Sequence, residues 1–272
     1  MSWKLSIPKI LHIFWSGSRL PYLRYMTVVS FMKLNPNWKV MFWYSMRPYS
    51  VITWRTQELN YPVNWKDYTP ELMDMPITKT EVDFNDFGMS NDISEVHKSD
   101  FLRYYFLSKY GGVYSDMDIL YFRPITNLKV NKKENKDIET FVCISSYGHS
   151  NGFFMAKPGS KFFEMIFGLA HNFDGTKYQS VGPDLCNDNF PTLEKINEIS
   201  PAMNIGMDSV YYYSGQQIGS IYSERELTFP KESIGIHWFA GHPFSGKFLR
   251  ETRGGTENYP NNILGNICKI IL

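Results

Sequence analysis

The sequence predicts a mixed α/β fold, a mainly parallel sheet flanked by helices, in a single domain spanning residues 1–272. Three observations carry that prediction. The chain opens strand, helix, strand, helix, the signature of parallel strands joined by covering helices. A helical stretch at Ile93–Tyr110 then feeds through Gly111-Gly112 into a further apolar strand. Beyond residue 140 more strand-like segments and a helix follow, with no internal repeat and no low-complexity tract. With 43% hydrophobic residues over 272 positions, the chain can bury a substantial core.

Ile10–Trp15 reads as the first buried strand and ends at Ser16-Gly17-Ser18, a turn-forming cluster. Pro21 opens a helix that runs to about Leu34, where Asn35-Pro36 stops it, since proline lacks the amide donor and restricts the residue before it. Trp38–Tyr44 is the second strand, and Tyr49–Leu59 a helical stretch. Parallel sheets of this kind bind nucleotides at the carboxyl ends of their strands, and Gly17 lies at such an end. Residues 60–88 carry three prolines and no clear period, so they read as an irregular insertion. In the helix Ile93–Tyr110, Asp92 and Glu95 form a plausible capping box and Gly111 a stop. Lys129–Lys136 is a polar loop; Phe141–Ser146, Phe153–Ala156, Val210–Tyr213 and Ile234–Phe239 read as strands, and Lys161–His171 as a helix. A helical tail at about Pro260–Leu272 puts Ile263, Ile267, Ile270 and Ile271 on one face. It is expected to pack on its own domain, and leaves peripheral membrane contact open.

Composition excludes several function classes. Lys and Arg number 28 against 27 Asp and Glu, a formal net charge of +1, so no global field recruits nucleic acid. Cys143, Cys186 and Cys268 are widely spaced and include no Cys-x-x-Cys, which argues against a disulfide framework and a structural zinc site and favours a reducing compartment. No signal-peptide core and no transmembrane run are visible, so a soluble, cytoplasmic protein is expected. Aromatic residues make up 17% of the chain, a content that suits either a packed core or a sugar-handling surface.

The chemistry gathers around Tyr114-Ser115-Asp116-Met117-Asp118, where a strand should end. On extended backbone, positions i and i+2 project to one side, so Asp116 and Asp118 should aim at one point and invite a cation. A few carboxylates hold Mn²⁺ or Mg²⁺ where the other ligands are substrate phosphates, and a metal-bridged nucleoside diphosphate is a leaving group that needs such a clamp. The preceding helix supports this reading. At about 100° per residue, Val96, Asp100, Arg103, Leu107 and Tyr110 share a sector of about 80°, with Lys98 and Lys109 on the opposite, solvated side. Asp100 and Arg103 thus sit on a face that should be buried, either as an internal ion pair or lining a polar cavity beside the metal.

Lys98-Ser99-Asp100-Phe101-Leu102-Arg103-Tyr104 and Lys109-Tyr110-Gly111-Gly112-Val113-Tyr114-Ser115-Asp116-Met117-Asp118 together resemble the central block of the DXD sugar transferases. That family takes in yeast-type initiating α-1,6-mannosyltransferases, α-1,4-galactosyltransferases and bacterial capsule enzymes, with the glucosylating domains of large clostridial cytotoxins as relatives. Ile7–Gly17 is similar to its opening strand and Asn35–Trp43 to its second, so the resemblance spans roughly residues 7–125, with weaker echoes to about 243. It implies a GT-A fold and a retaining, metal-dependent transfer of sugar from a nucleotide-diphospho-sugar, a UDP-sugar favoured and a GDP-sugar admissible, to a glycan or other hydroxyl acceptor.

Carried over residue by residue, the resemblance implies Asp118 as direct metal ligand and Asp116 reaching the metal or the ribose. Asp100 and Arg103 would hold the donor sugar and the diphosphate side, with Tyr114 beside them; Asp100, Arg103 and Asp116 are the candidate catalytic residues. Trp15 would be the nucleobase platform, though a core tryptophan explains it as well. His237, in Ile236-His237-Trp238-Phe239-Ala240-Gly241, is similar to the family's terminal metal-binding histidine, but His242-Pro243 stands where the family has serine-tryptophan, so His242 competes with it. Asn151 resembles a sugar-contacting asparagine and Asp184, in Gly182-Pro183-Asp184, lies in a turn similar to one near the acceptor; a turn asparagine and a helix-starting aspartate explain both equally. His12 faces away from Trp15 and reads as structural.

Two other classes compete. A haloacid-dehalogenase-type phosphohydrolase also follows an apolar strand with Asp-x-Asp, but Leu120 stands where it has threonine and the pair lies mid-chain. A non-catalytic nucleotide-sugar or carbohydrate-binding module would have less need to keep Asp100, Arg103, Asp116 and Asp118 together.

Overall fold

The structure is a computed structural model that describes residues 7–46, 66–128, 130, 137–225, 228–246 and 261–271. The helix expected at Tyr49–Leu59 and nearly all of the loop expected at Lys129–Lys136 lie outside these residues.

The first strand, β1 (Ile10–Trp15), is followed by α1 (Tyr22–Leu34) and β2 (Lys39–Ser45), the expected opening. Asn35 ends α1 by donating its side-chain amide to Phe31 O, and its Oδ1 accepts the Ile125 amide, so the helix stop also pins a distant turn. The stretch expected to be irregular is ordered where it is described: α2 (Thr69–Asp74) and β3 (Thr78–Val82), whose polar Thr-Lys-Thr-Glu-Val sequence suits a sheet edge rather than a core strand. Next come α3 (Glu95–Tyr110), β4 (Gly112–Ser115) and β5 (Ile119–Tyr121). The chain continues through β6 (Thr140–Val142), the hairpin β7 (Ile144–Ser145) and β8 (Gly148–His149), and β9 (Phe153–Ala156). After these come α4 (Lys161–Leu169), α5 (Pro183–Asn189), α6 (Leu193–Asn197), β10 (Ala202–Asn204), α7 (Gly219–Ser223), β11 (Gly235–His237) and α8 (Ile263–Ile271).

Seven strands form one sheet in the order β10-β6-β9-β4-β1-β2-β3. Pairs β1·β2, β1·β4, β2·β3 and β6·β10 are parallel, and β9 runs antiparallel to both its neighbours. This is the expected mixed, mainly parallel sheet flanked by helices. Alternation along the strands divides the core in two: Leu11, Ile13, Val113, Phe153 and Met155 face α1, α7 and α8, while Phe14, Tyr114, Phe154 and Ala156 face α3 and α4. Ile263, Ile267 and Ile271 are buried as expected, but Ile270 stays 78% exposed and leaves the packed face. Val210–Tyr213 is not a strand; the Tyr211 amide instead donates to Met207 O in a turn, which swings the Tyr211 ring inward against His237.

The junction from α3 to β4 demands glycine twice. Gly111 and Gly112 have φ of +60° and +96°, and a Cβ on either would fall 2.5 Å from Pro158 N or 2.6 Å from Ile10 O. His12 braces this turn from β1. Its Nδ1 accepts from Trp43 Nε1 at 3.2 Å, which leaves the proton on Nε2 to meet Gly111 O at 3.0 Å. Burial holds the imidazole down to about 4, so it remains neutral, in keeping with a structural role.

Candidate active site

The sheet reverses direction of travel at β1, with β2 on one side and β4 on the other. In open α/β sheets ligands bind in the crevice outside the strand carboxyl ends at such a reversal, and a cleft opens at this point. Its walls come from Phe14, Trp15, Ser16 and Gly17 after β1, Arg24 on α1, and Glu95, Val96, Ser99 and Arg103 on α3. Asp116, Met117 and Asp118 after β4 close the floor, with Tyr178, Ala240 and Gly241 at the rim.

The two acids do not reach this point by strand alternation. β4 stops at Ser115, and Asp116 to Asp118 lie in the turn to β5, so the extended geometry expected from the sequence is corrected. Each acid is aimed by its own partners. Asp116 Oδ1 accepts from Tyr114 Oη at 3.0 Å and Arg103 Nη2 at 3.2 Å, while its amide donates to Gly152 O at 2.7 Å. Asp118 Oδ2 accepts the Ala240 amide at 3.0 Å and Oδ1 meets His237 Nε2 at 3.1 Å. Burial opposes the Asp118 charge, but His237, Arg24 and the Ala240 N–H overcome it and hold the carboxyl well below the usual range.

His237 arrives by sheet register. β11 pairs antiparallel with β5, His237 opposite Ile119, which sets its ring beside Asp118. Among the described residues, ligand atoms of Asp116, Asp118 and His237 all lie within 4.8 Å of one another. His242, the competing candidate, is outside this group, its Nδ1 accepting the Phe244 amide at 3.3 Å and its ring stacked on Phe244.

Asp100 and Arg103 meet the ion-pair reading, whereas only Arg103 of the two lines the cleft. They form a buried ion pair at 2.7 Å, with side chains 6% and 5% exposed. The guanidinium spreads its donors over Asp100, Asp116, Ser99 Oγ and, at 2.5 Å, Asn151 O, so a costly burial is matched by hydrogen bonds. Burial pushes the Asp100 carboxyl up to about 7, Arg103 pulling it down and Asp116 adding to the rise. Tyr114 lies beneath Arg103, its ring centroid 4.9 Å from the guanidinium carbon.

The other expected residues are placed as follows. Trp15 is half-buried at the cleft wall, with the Arg24 guanidinium 4.4 Å over its ring. Asn151 is buried, donating from Nδ2 to Tyr104 Oη at 3.0 Å, and its Oδ1 has no partner. Asp184 is exposed in the first turn of α5 and does not line the cleft. Lys98, read as solvated, is 1% exposed and reaches across to donate to Ser45 Oγ at 3.1 Å, because α3 is covered on both flanks. The expected capping box is replaced by Ser94, whose side chain accepts the His97 amide.

Sequence reasoning missed Arg24 and Glu95. Arg24 carried a signal: it stands in the first turn of a helix that has no acidic residue there, where the dipole disfavours a cation. Glu95 was absorbed into a cap it does not make.

Residues 24–136 match the model of a family described as the glycosyltransferase sugar-binding region containing a DXD motif. That stretch includes Arg24, α3, the Gly111-Gly112 turn and both acids. No curated protein matches the sequence. Among solved structures the chain is similar to the PaToxG glycosyltransferase, 13% identical over 71% of this chain and 73% of that one with a TM-score of 0.47. It is also similar to the glycosyltransferase GlyE of Streptococcus pneumoniae TIGR4, 12% identical over 80% of this chain and 48% of that one, TM-score 0.44. An active-site mutant of LgtC is 12% identical over 84% of this chain and 86% of that one, TM-score 0.44.

Proposed function

We propose that the protein is a glycosyltransferase of GT-A type that moves a sugar from a nucleotide-diphospho-sugar to a hydroxyl of a glycan or other acceptor, with retention at the anomeric carbon and a divalent ion, Mn²⁺ or Mg²⁺. The observation that carries this reading is the convergence of Asp116, Asp118 and His237 within 4.8 Å at the floor of a cleft that also presents Arg24 and Arg103. The DXD-region match over residues 24–136 supports it. The resemblance favours a uridine donor and admits a guanosine one.

The donor set fits such an ion. Two hard carboxylate oxygens and one imidazole nitrogen suit Mn²⁺, and a small protein ligand set leaves positions for phosphate oxygens. When bound, the ion neutralises charge on the diphosphate. Asp116, Asp118 and His237 would hold it.

The chain's own cations then face the departing group. Arg103 is locked in place by Asp100, Ser99 and Asn151, so its charge needs no reorganisation as the glycosidic bond breaks and negative charge grows on the diphosphate. Arg24, held over Trp15, adds a second positive group. Asp100, buried behind Arg103, fixes the guanidinium from outside the cleft wall, and Asn151 does the same through its backbone carbonyl.

Incubation with a panel of nucleotide sugars and Mn²⁺, reading release of nucleoside diphosphate, tests the reading. Turnover is expected with at least one donor and is expected to fall by about 100-fold or more in Asp118→Asn, with circular dichroism unchanged. Undiminished turnover in that variant overturns the metal assignment.

A further inference from the structure

Tyr178 puts an open aromatic ring at the mouth of the cleft. It lines the cavity at the rim yet stays 47% exposed, so, unlike the rings packed into the core, it offers a face that an incoming molecule can reach. Partial burial and the nearby Asp100, Asp118 and Asp116 carboxylates push its phenol up to about 12, so the group remains a neutral O–H donor.

The loop that carries the ring is braced. His97 Nε2 on α3 donates at 2.9 Å to the carbonyl of Lys177, the residue next to Tyr178. Asp174 Oδ1 accepts from Thr176 N and Oγ1 at 2.9 and 2.6 Å, and Ser180 Oγ donates to Asp174 O at 2.7 Å. The ring is thus fixed at the rim before any ligand arrives, which lowers the ordering cost of a contact made there.

Its surroundings limit the ligand. The loop's exposed side chains at Asp174, Thr176, Lys177 and Gln179 are polar, and Ser99 and Asp116, the latter with its side chain 25% exposed, line the same cleft. A flat apolar face ringed by polar groups suits a pyranose, whose C–H groups form one face and whose hydroxyls point sideways. The ion and the diphosphate belong on the floor, at Asp116 and Asp118, so a group that reaches the donor sugar from solvent passes the rim.

Resting on the function proposed above, we infer that Tyr178 is the stacking platform of the acceptor and that the acceptor is a pyranoside, which narrows its class to glycans. The donor's own sugar is the other source of the same chemistry.

Nucleotide release by the full chain, with Mn²⁺ and a donor that it turns over, decides the matter for the wild type, Tyr178→Phe and Tyr178→Ala. Release is measured with donor alone, with methyl glycosides of glucose, galactose and mannose, with lactose and maltose, and with N-acetylserinamide as a peptide hydroxyl. At least one saccharide is expected to raise release above hydrolysis of the donor by water, and the serinamide is not. Tyr178→Ala is expected to raise the KM of that saccharide about tenfold or more and to lower the ratio of transfer to hydrolysis by a similar factor, whereas Tyr178→Phe, which keeps the ring, stays within about threefold of wild type. Both variants are expected to melt at the wild-type midpoint, because the ring is half exposed and the braces of the loop are left in place. Stimulation by the serinamide alone, stimulation by no saccharide, or an unchanged saccharide KM in Tyr178→Ala overturns the proposal. Equal loss of transfer and hydrolysis in Tyr178→Ala also overturns it, assigning the ring to the donor's sugar. If the wild type splits no nucleotide sugar at all, the glycosyltransferase reading itself fails.

Discussion

Asp100 and Asp118 stand within one site yet are pushed in opposite directions, and stability should record both. Asp118 is held below its ordinary value, so its contribution is present above about pH 4 and is lost as pH falls further. Asp100 is raised to about 7, so the folded chain holds that proton more tightly than the unfolded chain does. Its contribution is therefore full below about pH 4 and declines as pH rises toward 7. Thermal melts across pH 4 to 7 are expected to show a falling midpoint in the wild type and a flatter profile in Asp100→Asn. An equal slope in both proteins would assign the decline to other groups.

Among the elements, the turn before β9 holds the site's tightest tolerance. A Cβ at Gly152 would fall 2.6 Å from Asp116 Oδ2 and 2.7 Å from Tyr211 Oη, while Gly152 O and Asn151 O anchor the Asp116 amide and Arg103. Gly152→Ala is expected to cost about 1–3 kcal/mol by overpacking and to lower turnover about tenfold or more by shifting Asp116. Denaturant melts and nucleotide release measure the two effects. Elements written in local signals were legible in the sequence: the α1 stop at Asn35-Pro36, the Gly111-Gly112 junction, and β9 at Phe153–Ala156. Elements decided by tertiary context were not. The edge strand β3 lacks an apolar run, and the tyrosines of Val210–Tyr213 suit a strand by propensity but are drawn into a turn by packing on His237. The acids, Asp100 and Arg103 were visible as a motif, whereas the buried Lys98 and the Arg24 stack on Trp15 arise from segments that meet in space alone.

At the scale of the whole molecule, the site joins three remote stretches, α1, the α3 to β5 segment, and β11. An ion bound by Asp116, Asp118 and His237 would clamp two of them and bind the folded chain alone. Saturating Mn²⁺ at about 100 times its Kd is then expected to stabilise the protein by about 2.7 kcal/mol, read as a raised melting midpoint. Asp118→Asn should show no such rise, and an unchanged midpoint in the wild type would count against the clamp.

The pairing of β11 with β5 has a consequence for how such chains can diverge. Because His237 meets Asp118 through a three-rung ladder, a slip of one residue would send the imidazole to the opposite face and bring Trp238 in its place. The long stretch between the two strands carries β6, β9 and β10 of the central sheet and the Asn151-Gly152 turn that holds Arg103 and Asp116, so insertions and deletions belong in its surface loops. Within the ladder itself, a single added or lost residue would disarm the protein.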